Sequence, residues 1–272
     1  MNDKLSKPYL SPSQLDLAGK CLEAYRRRYI EGERIPPGIA AIRGSGVHGG
    51  AEANFRQKIE SHKDLPASDI VDAAVATFER RYEDGGVTLT PEEDARGATV
   101  VLSEAVDSTA ALAEVHAEMQ APDYQPARVE ETVRLTIPTA SHDLLGVLDV
   151  YTDDRTIVDF KTGGKSKSQN DADTSVQLTA YAAFATVLDG KPPAGIKMDV
   201  LTALKTKTKR DVIETTRGPG DFAALAARTN AVLKVIQTGA FAPTSPMSWN
   251  CSARWCGYWS TCPYVNGGVD ER

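Results

Sequence analysis

Hydrophobic positions recur with helical spacing through the first 120 or so residues and then switch to alternation. Leu15, Leu17, Cys21, Leu22, Tyr25 and Tyr29 fall roughly on one helical face behind Ser11-Pro12-Ser13, a capping serine with an early proline. This pattern predicts a first helix that carries Cys21. After the breaker Ile35-Pro36-Pro37-Gly38, the run from Arg43 to Glu52 leads into a second expected helix reaching about Ile59, and its glycines permit close backbone approach. Stretches from about Ser68 to Tyr82 and from about Pro91 to Gln120 predict two more, the latter carrying Ala98, Val101, Ala105, Leu112, Val115 and Met119 at helical intervals. Beyond them Val129, Glu131, Val133, Leu135 and Ile137 alternate with Glu130, Thr132, Arg134 and Thr136, which is strand patterning.

The next two runs, Leu145 to Tyr151 and Thr156 to Lys161, flank the polar turn Thr152-Asp153-Asp154-Arg155 and predict a β-hairpin. Alternation sets Asp159 on one face with Ile157 and Lys161, and Asp149 with Val147 and Tyr151, so charges share otherwise apolar faces. A buried unpaired carboxylate is costly. Two carboxylates from adjacent strands, with a lysine beside one of them, offer hard oxygen ligands to Mg²⁺ or Mn²⁺. They also suit an ion pair on a solvated sheet face, and a lone Asp-x-Lys does not separate the two. Thr174 to Phe184 predicts a helix on which Gln177 and Tyr181, four apart, share a face. Strands at Val200 to Leu204 and Asp211 to Thr216 and a helix from Phe222 to Ile236 follow. The basic run Lys205 to Arg210, with Lys165 and Lys167, suits a polyanion or a solvated hairpin tip equally.

The chain has 272 residues, 41% hydrophobic and 25% charged, which excludes disordered and fibrous readings. A net charge of −6 argues against coating nucleic acid by bulk charge, although a local basic surface could still meet a phosphate backbone. No apolar run approaches the roughly 18 to 20 residues a membrane helix needs, and the start leads into no apolar stretch, so no membrane partner and a cytoplasmic address are expected. Cys251, Cys256 and Cys262 fall within twelve residues, among all three tryptophans, while Cys21 lies far upstream. In a reducing cytosol this one-plus-three pattern points to metal or cluster ligands rather than disulfides. Zinc and iron–sulfur are not separated by spacing, and semi-buried structural thiols are the plainer alternative. A site using Cys21 would clamp the two ends of the chain.

In order, Ser11-Pro12-Ser13 with Cys21, Gly44-x3-His48, Gly146-Val147-Leu148-Asp149, Asp159-Phe160-Lys161, Gln177-x3-Tyr181 and Cys251, Cys256, Cys262 resemble the PD-(D/E)xK nuclease superfamily. More narrowly, they are similar to its RecB-like branch with an iron–sulfur cluster, which includes the AddB nuclease domain and CRISPR-associated cluster-containing exonucleases. The resemblance runs from about Leu10 to Pro263. It implies an α/β fold with a central mixed β-sheet flanked by helices, a restriction-endonuclease-like core, and N- and C-terminal segments joined by a four-cysteine cluster. A single domain over 1–272 is expected, with a helical insertion about 60–122, a core about 128–217 and a cluster segment about 246–264. The implied activity is a Mg²⁺- or Mn²⁺-dependent exonuclease hydrolysing DNA phosphodiesters at single-stranded ends.

The resemblance also implies roles. His48, Asp149, Asp159 and the carbonyl of Phe160 would hold the metal, and Lys161 would orient water and stabilise the transition state. Gln177 and Tyr181 would orient Lys161 or a phosphate, and Cys21, Cys251, Cys256 and Cys262 would hold a 4Fe–4S cluster, with zinc as the alternative. Cys251-x4-Cys256 is wider than the branch's usual Cys-x2-Cys, and Asp159 stands where the superfamily often has glutamate. A Gly-x4-Gly-Lys-Ser/Thr phosphate loop is absent, so unwinding would need a partner, a helicase or a CRISPR adaptation protein. The implied settings are recombination, repair, CRISPR adaptation and phage DNA processing. The competing class is a catalytically weak, cluster-bearing subunit that binds DNA or a helicase. Glu52, one turn beyond His48, is a partner of that histidine or a surface acid, and His62, His116 and His142 are expected at the surface.

Overall fold

In the computed structural model, which describes residues 8–204 and 207–265, the Ser11 hydroxyl accepts the Gln14 N–H at 3.2 Å and caps the first helix. Lys205 and Thr206 of the basic run lie outside the described residues. The order is β1 (Tyr9–Leu10), α1 (Pro12–Lys20), α2 (Leu22–Tyr25), α3 (Ile39–Ser61), α4 (Ala67–Gly85), α5 (Pro91–Arg96), α6 (Ala98–Val115), β2 (Pro126–Leu135), β3 (Asp143–Thr152), β4 (Thr156–Gly163), α7 (Gln169–Asp173), α8 (Val176–Asp189), β5 (Gly195–Ala203), β6 (Thr208–Thr215) and α9 (Pro219–Thr238).

Cys21, expected inside a helix, stands instead between two. Its backbone is extended (φ −164°, ψ 118°); its N–H closes α1 on the Leu17 carbonyl at 2.9 Å, and its own carbonyl accepts the Tyr25 N–H at 3.0 Å to open α2. The apolar spacing continues across this single extended residue, which is why periodicity hides it. The expected helix from Pro91 to Gln120 is also divided. Gly97, at φ +88°, separates α5 from α6, and a π turn over His116–Gln120 follows.

The chain gathers into two compact units, one of Met1–Ile35, Arg134–Leu145 and Pro219–Arg272, the other of Pro36–Val133 and Gly146–Gly218. In the first, Arg27 organises the chain around itself. Its buried guanidinium meets Glu33 at 2.6 Å and Thr261 Oγ1 at 2.6 Å and lies 4.6 Å above the Tyr258 ring, while the Tyr258 hydroxyl donates to the Glu33 carbonyl at 2.7 Å. In the second unit, α3 packs closely on α4. A Cβ at Gly46 would stand 2.9 Å from the Ala74 carbonyl, one at Gly50 2.6 Å from the Ile70 carbonyl, and one at Gly49 would collide with Thr77.

The sheet is mixed, in the order β1-β3-β4-β5-β6 with β2 also on β3. β3 and β4 are antiparallel with Val150 opposite Val158, β4 and β5 parallel with Phe160 opposite Asp199, and β5 and β6 antiparallel with Asp199 opposite Val212. β5 begins at Gly195, five residues earlier than its apolar run suggests. Side chains alternate along β4, so Phe160 stacks on Phe55 of α3 at 5.6 Å while Lys161, on the other face, reaches Gln177 of α8. Helices therefore flank the sheet. Phe55, Val129, Val150, Val158 and Phe160 form the core on the α3 side. Among the described residues no helix is long and apolar enough to cross a membrane.

Alanine is intrinsically a better helix residue than glycine by about 1 kcal/mol. Gly49→Ala is nevertheless expected to destabilise the protein by about 1–3 kcal/mol in urea unfolding, because the added methyl must displace Thr77. A neutral or stabilising result would mean that α3 and α4 stand further apart.

Candidate active site

The β3–β4 hairpin turns through Arg155 at φ +68°. One step along the ladder from Val150 and Val158 lie Asp149 and Asp159. The Phe160 N–H donates to Asp149 Oδ2 at 3.2 Å. Asp159 has no exposure to solvent; its Oδ1 accepts from Lys161 Nζ at 2.8 Å, and its buried Oδ2 has no hydrogen-bond partner among the described residues. Lys161 Nζ also donates to Gln177 Oε1 at 2.9 Å, and Gln177 Nε2 donates to the Tyr181 hydroxyl at 2.6 Å. The i, i+4 pair on α8 is thereby brought onto the lysine of β4.

From α3, His48 places Nδ1 3.6 Å from Asp149 Oδ2. Glu130 joins them: ligand atoms of His48, Glu130 and Asp149 all lie within 4.8 Å of one another. Asp159 stands outside that trio and is engaged with Lys161. Alternation along β2 groups Glu130 with Thr132 and Arg134 and gives it no part in a site. Its left-handed backbone (φ +49°) is a local departure from extended geometry that the alternation does not register. The only hint in the chain is the Glu130-Glu131 pair, which names two acids and does not say which turns inward.

Electrostatically the site is short of positive charge. Burial, then the neighbouring Asp149, pushes the Glu130 carboxyl up to about 7. Burial also raises Asp159, against the pull of Lys161. For Lys161 burial disfavours the ammonium, yet Asp159 and Asp149 outweigh it and hold its pKa above the ordinary lysine value. Burial and the same two aspartates keep the Tyr181 phenol protonated. Three carboxylates, one with an orphaned buried oxygen, and an imidazole around a single lysine make a donor set that fits a hard divalent cation such as Mg²⁺ or Mn²⁺.

Behind Phe160 lies a buried polar network. His116, expected at the surface, is 1% exposed and meets the Phe55 and Phe160 rings edge-on at 5.5 and 5.4 Å. Burial lowers its pKa to about 4, so the ring is neutral. Its Nδ1 pairs with Gln120 Oε1 at 2.9 Å, and Gln120 Nε2, the Tyr124 hydroxyl and the Arg210 guanidinium all donate to the buried Asp199, at 2.7, 2.8 and 2.6 Å. Arg210 of the basic run is thus an internal ligand of Asp199, and Lys209 pairs with Asp211 at 2.8 Å. His62 is exposed and His142 half-buried.

In the first unit, Cys21, Cys251, Cys256 and Cys262 all line one cavity of about 230 Å³, beside Arg27 and Tyr258. All four are free thiols. Among the described residues no three of their sulfurs lie within 4.8 Å of one another. Burial, then the other cysteines, raises the Cys251 thiol, and burial likewise leads the rise at Cys256.

The profile of the PD-(D/E)XK nuclease superfamily matches residues 9–263. No curated protein sequence matches the chain. Among solved structures, a protein named as a candidate exonuclease from Eubacterium rectale is similar at 13% identity and a TM-score of 0.55, over 90% of this chain and 87% of its own. A second, SSO0001, is 13% identical over 78% of this chain and 95% of its own, with a TM-score of 0.36. The first likeness is one of fold, in keeping with the mixed sheet and its flanking helices.

Glu130 generates a pH-dependent prediction for the metal-free protein. Its carboxyl ionises near 4.5 when unfolded and about 7 when folded, so stability falls as pH rises through that window and levels above it. E130Q lacks this fall. In urea unfolding with EDTA the two proteins are expected to match near pH 4, and E130Q to be more stable by about 1–2 kcal/mol at pH 8, the shift being discounted for partial exposure. Parallel pH profiles would contradict the inward placement of Glu130.

Proposed function

The chain belongs to the PD-(D/E)XK nuclease superfamily, and from that premise we propose that it is a divalent-metal-dependent exonuclease that hydrolyses DNA at single-stranded ends. It falls in the RecB-like branch that carries an iron–sulfur cluster. The observation that carries this reading is the hydrogen-bonded chain Asp159–Lys161–Gln177–Tyr181, buried at both ends, adjoining the trio His48, Glu130 and Asp149. A chain that only binds DNA has no chemical need for this set. The name of the Eubacterium rectale neighbour agrees with exonuclease action.

In this reading His48, Asp149 and Glu130 hold Mg²⁺ or Mn²⁺, with Asp159 through its free oxygen and the Phe160 carbonyl as the further donors. A divalent cation supplies Lewis-acid activation of water and neutralises charge building on the phosphoryl group. The protein's own share is positional. Lys161 keeps its proton because Asp159 and Asp149 favour the ammonium, so it is a fixed cation for a non-bridging phosphate oxygen. Gln177 holds that ammonium by its amide oxygen. Tyr181, by accepting from the amide nitrogen, decides which way the amide faces. The left-handed backbone at Glu130, costing about 1–3 kcal/mol in a non-glycine residue, is the kind of strain that persists at working sites.

In this reading Cys21, Cys251, Cys256 and Cys262 hold a 4Fe–4S cluster, with zinc as the alternative. All four line a single cavity, so one shared group could take every thiolate. We read the setting as recombination, repair, CRISPR adaptation or phage DNA processing, with a helicase or adaptation protein as partner.

Anaerobically purified protein is expected to be brown and to degrade 5′- or 3′-labelled DNA with Mg²⁺ or Mn²⁺ but not with EDTA. Asp159→Ala and Lys161→Ala should each lower the rate by at least about a hundredfold with the fold intact. Cys256→Ala should lose iron and thermal stability first. A brown, folded wild-type protein without cleavage would favour the binding-subunit reading, and an active Asp159→Ala protein would end the catalytic assignment.

A further inference from the structure

The cleft that holds His48, Asp149 and Lys161 measures about 940 Å³ and extends along α3 and α4 well past them. Gly50 abuts Ile70 and Ala74 while Gly46 abuts Ala74 and Phe78, so the two helices run antiparallel. Arg80 and Arg81 of α4, one turn beyond the Thr77 that abuts Gly49, therefore face the part of the cleft lined by Ala41 and Ser45. Ala41 precedes His48 by seven residues, or about 10 Å of helix rise.

These arginines are unlike the other charges of the cleft. Both are exposed, and among the described residues neither forms an ion pair; Arg80 only donates to Thr77 Oγ1 at 3.1 Å. Arg56, at the opposite end, is spent on Glu52 at 2.7 Å. Asp84 is the acid at the arginines' end, and the wall opposite them is Ala40, Ala41, Gly44 and Ser45, which leaves room for a ligand. Adjacent unpaired guanidiniums are forks for phosphate oxygens. On the nuclease reading above, we propose that Arg80 and Arg81 grip the phosphate backbone of the DNA strand, making the α3–α4 cleft the track that feeds the site. At the ~3.4 Å rise of a stacked strand, the grip lies about three nucleotides from the scissile bond.

The test compares wild type, R80Q/R81Q and a control, R96Q/K191Q, which removes the same charge outside the cleft. Binding of a labelled single-stranded oligonucleotide is measured in EDTA across salt, and cleavage kinetics in Mn²⁺. R80Q/R81Q is expected to raise Kd and KM about tenfold with kcat nearly unchanged. Its slope of log Kd against log salt should flatten by about 1.4, two contacts at 0.7 each. R80K/R81K, keeping charge without the fork, should recover the slope and only part of the affinity. The control should stay within about twofold. Active wild type with unchanged KM and slope in R80Q/R81Q, or an equal loss in the control, overturns the track and leaves the nuclease reading standing. Wild type that cuts no DNA with either metal overturns that reading, and the track with it.

Discussion

The ion pair between Lys161 and Asp159 closes at 2.8 Å around a carboxylate with no access to water, and its geometry propagates outward. A buried pair repays its desolvation only when remaining valences are met. On the lysine side two of three protons are placed: Gln177 takes a second and Tyr181 fixes Gln177, so α8 is tied to β4 through its polar face and one proton is left for a ligand. On the aspartate side one oxygen is left over, and Asp149 and Glu130 add more negative charge nearby. A cluster so unbalanced is costly unless a cation completes it, and the cost is the physical sign that the site is built for one.

Phe160, between Asp159 and Lys161 on β4, packs the other face. Its ring sits among Phe55, His116 and Tyr124, and its strand neighbour Asp199 is held by three donors. Tyr124 and Gln120 spend their polar groups on Asp199, so the core behind the site is polar yet nearly satisfied, with His116 Nε2 the exception. Such a backing holds Asp159 and Lys161 in one register, because a slip of β4 by one residue would exchange them with Phe160.

Much of this was legible in the chain. Alternation in two short runs located the hairpin and both aspartates, and a four-residue spacing on a helix paired Gln177 with Tyr181, because strands and helices impose those periods on any sequence. Glu130 escaped for the opposite reason: a single left-handed residue changes local geometry without changing composition. His116 and Arg210 escaped because burial of a polar residue depends on partners far away in sequence, Gln120 and Tyr124 for one segment and Asp199 for another. Cys21 was found as a residue and misjudged as a conformation, since one extended residue between two helices leaves the apolar rhythm intact.

The unit that carries the cysteine cavity is assembled from three separated stretches, Met1–Ile35, Arg134–Leu145 and Pro219–Arg272. During synthesis Cys21 emerges about 230 residues before Cys251, and the other unit is complete at Gly218, before any of the three late cysteines leaves the ribosome. The cavity therefore cannot close until Cys262 has emerged. The four cysteines of that cavity thus come from the first and third of these stretches, and closing it is a long-range event in the chain.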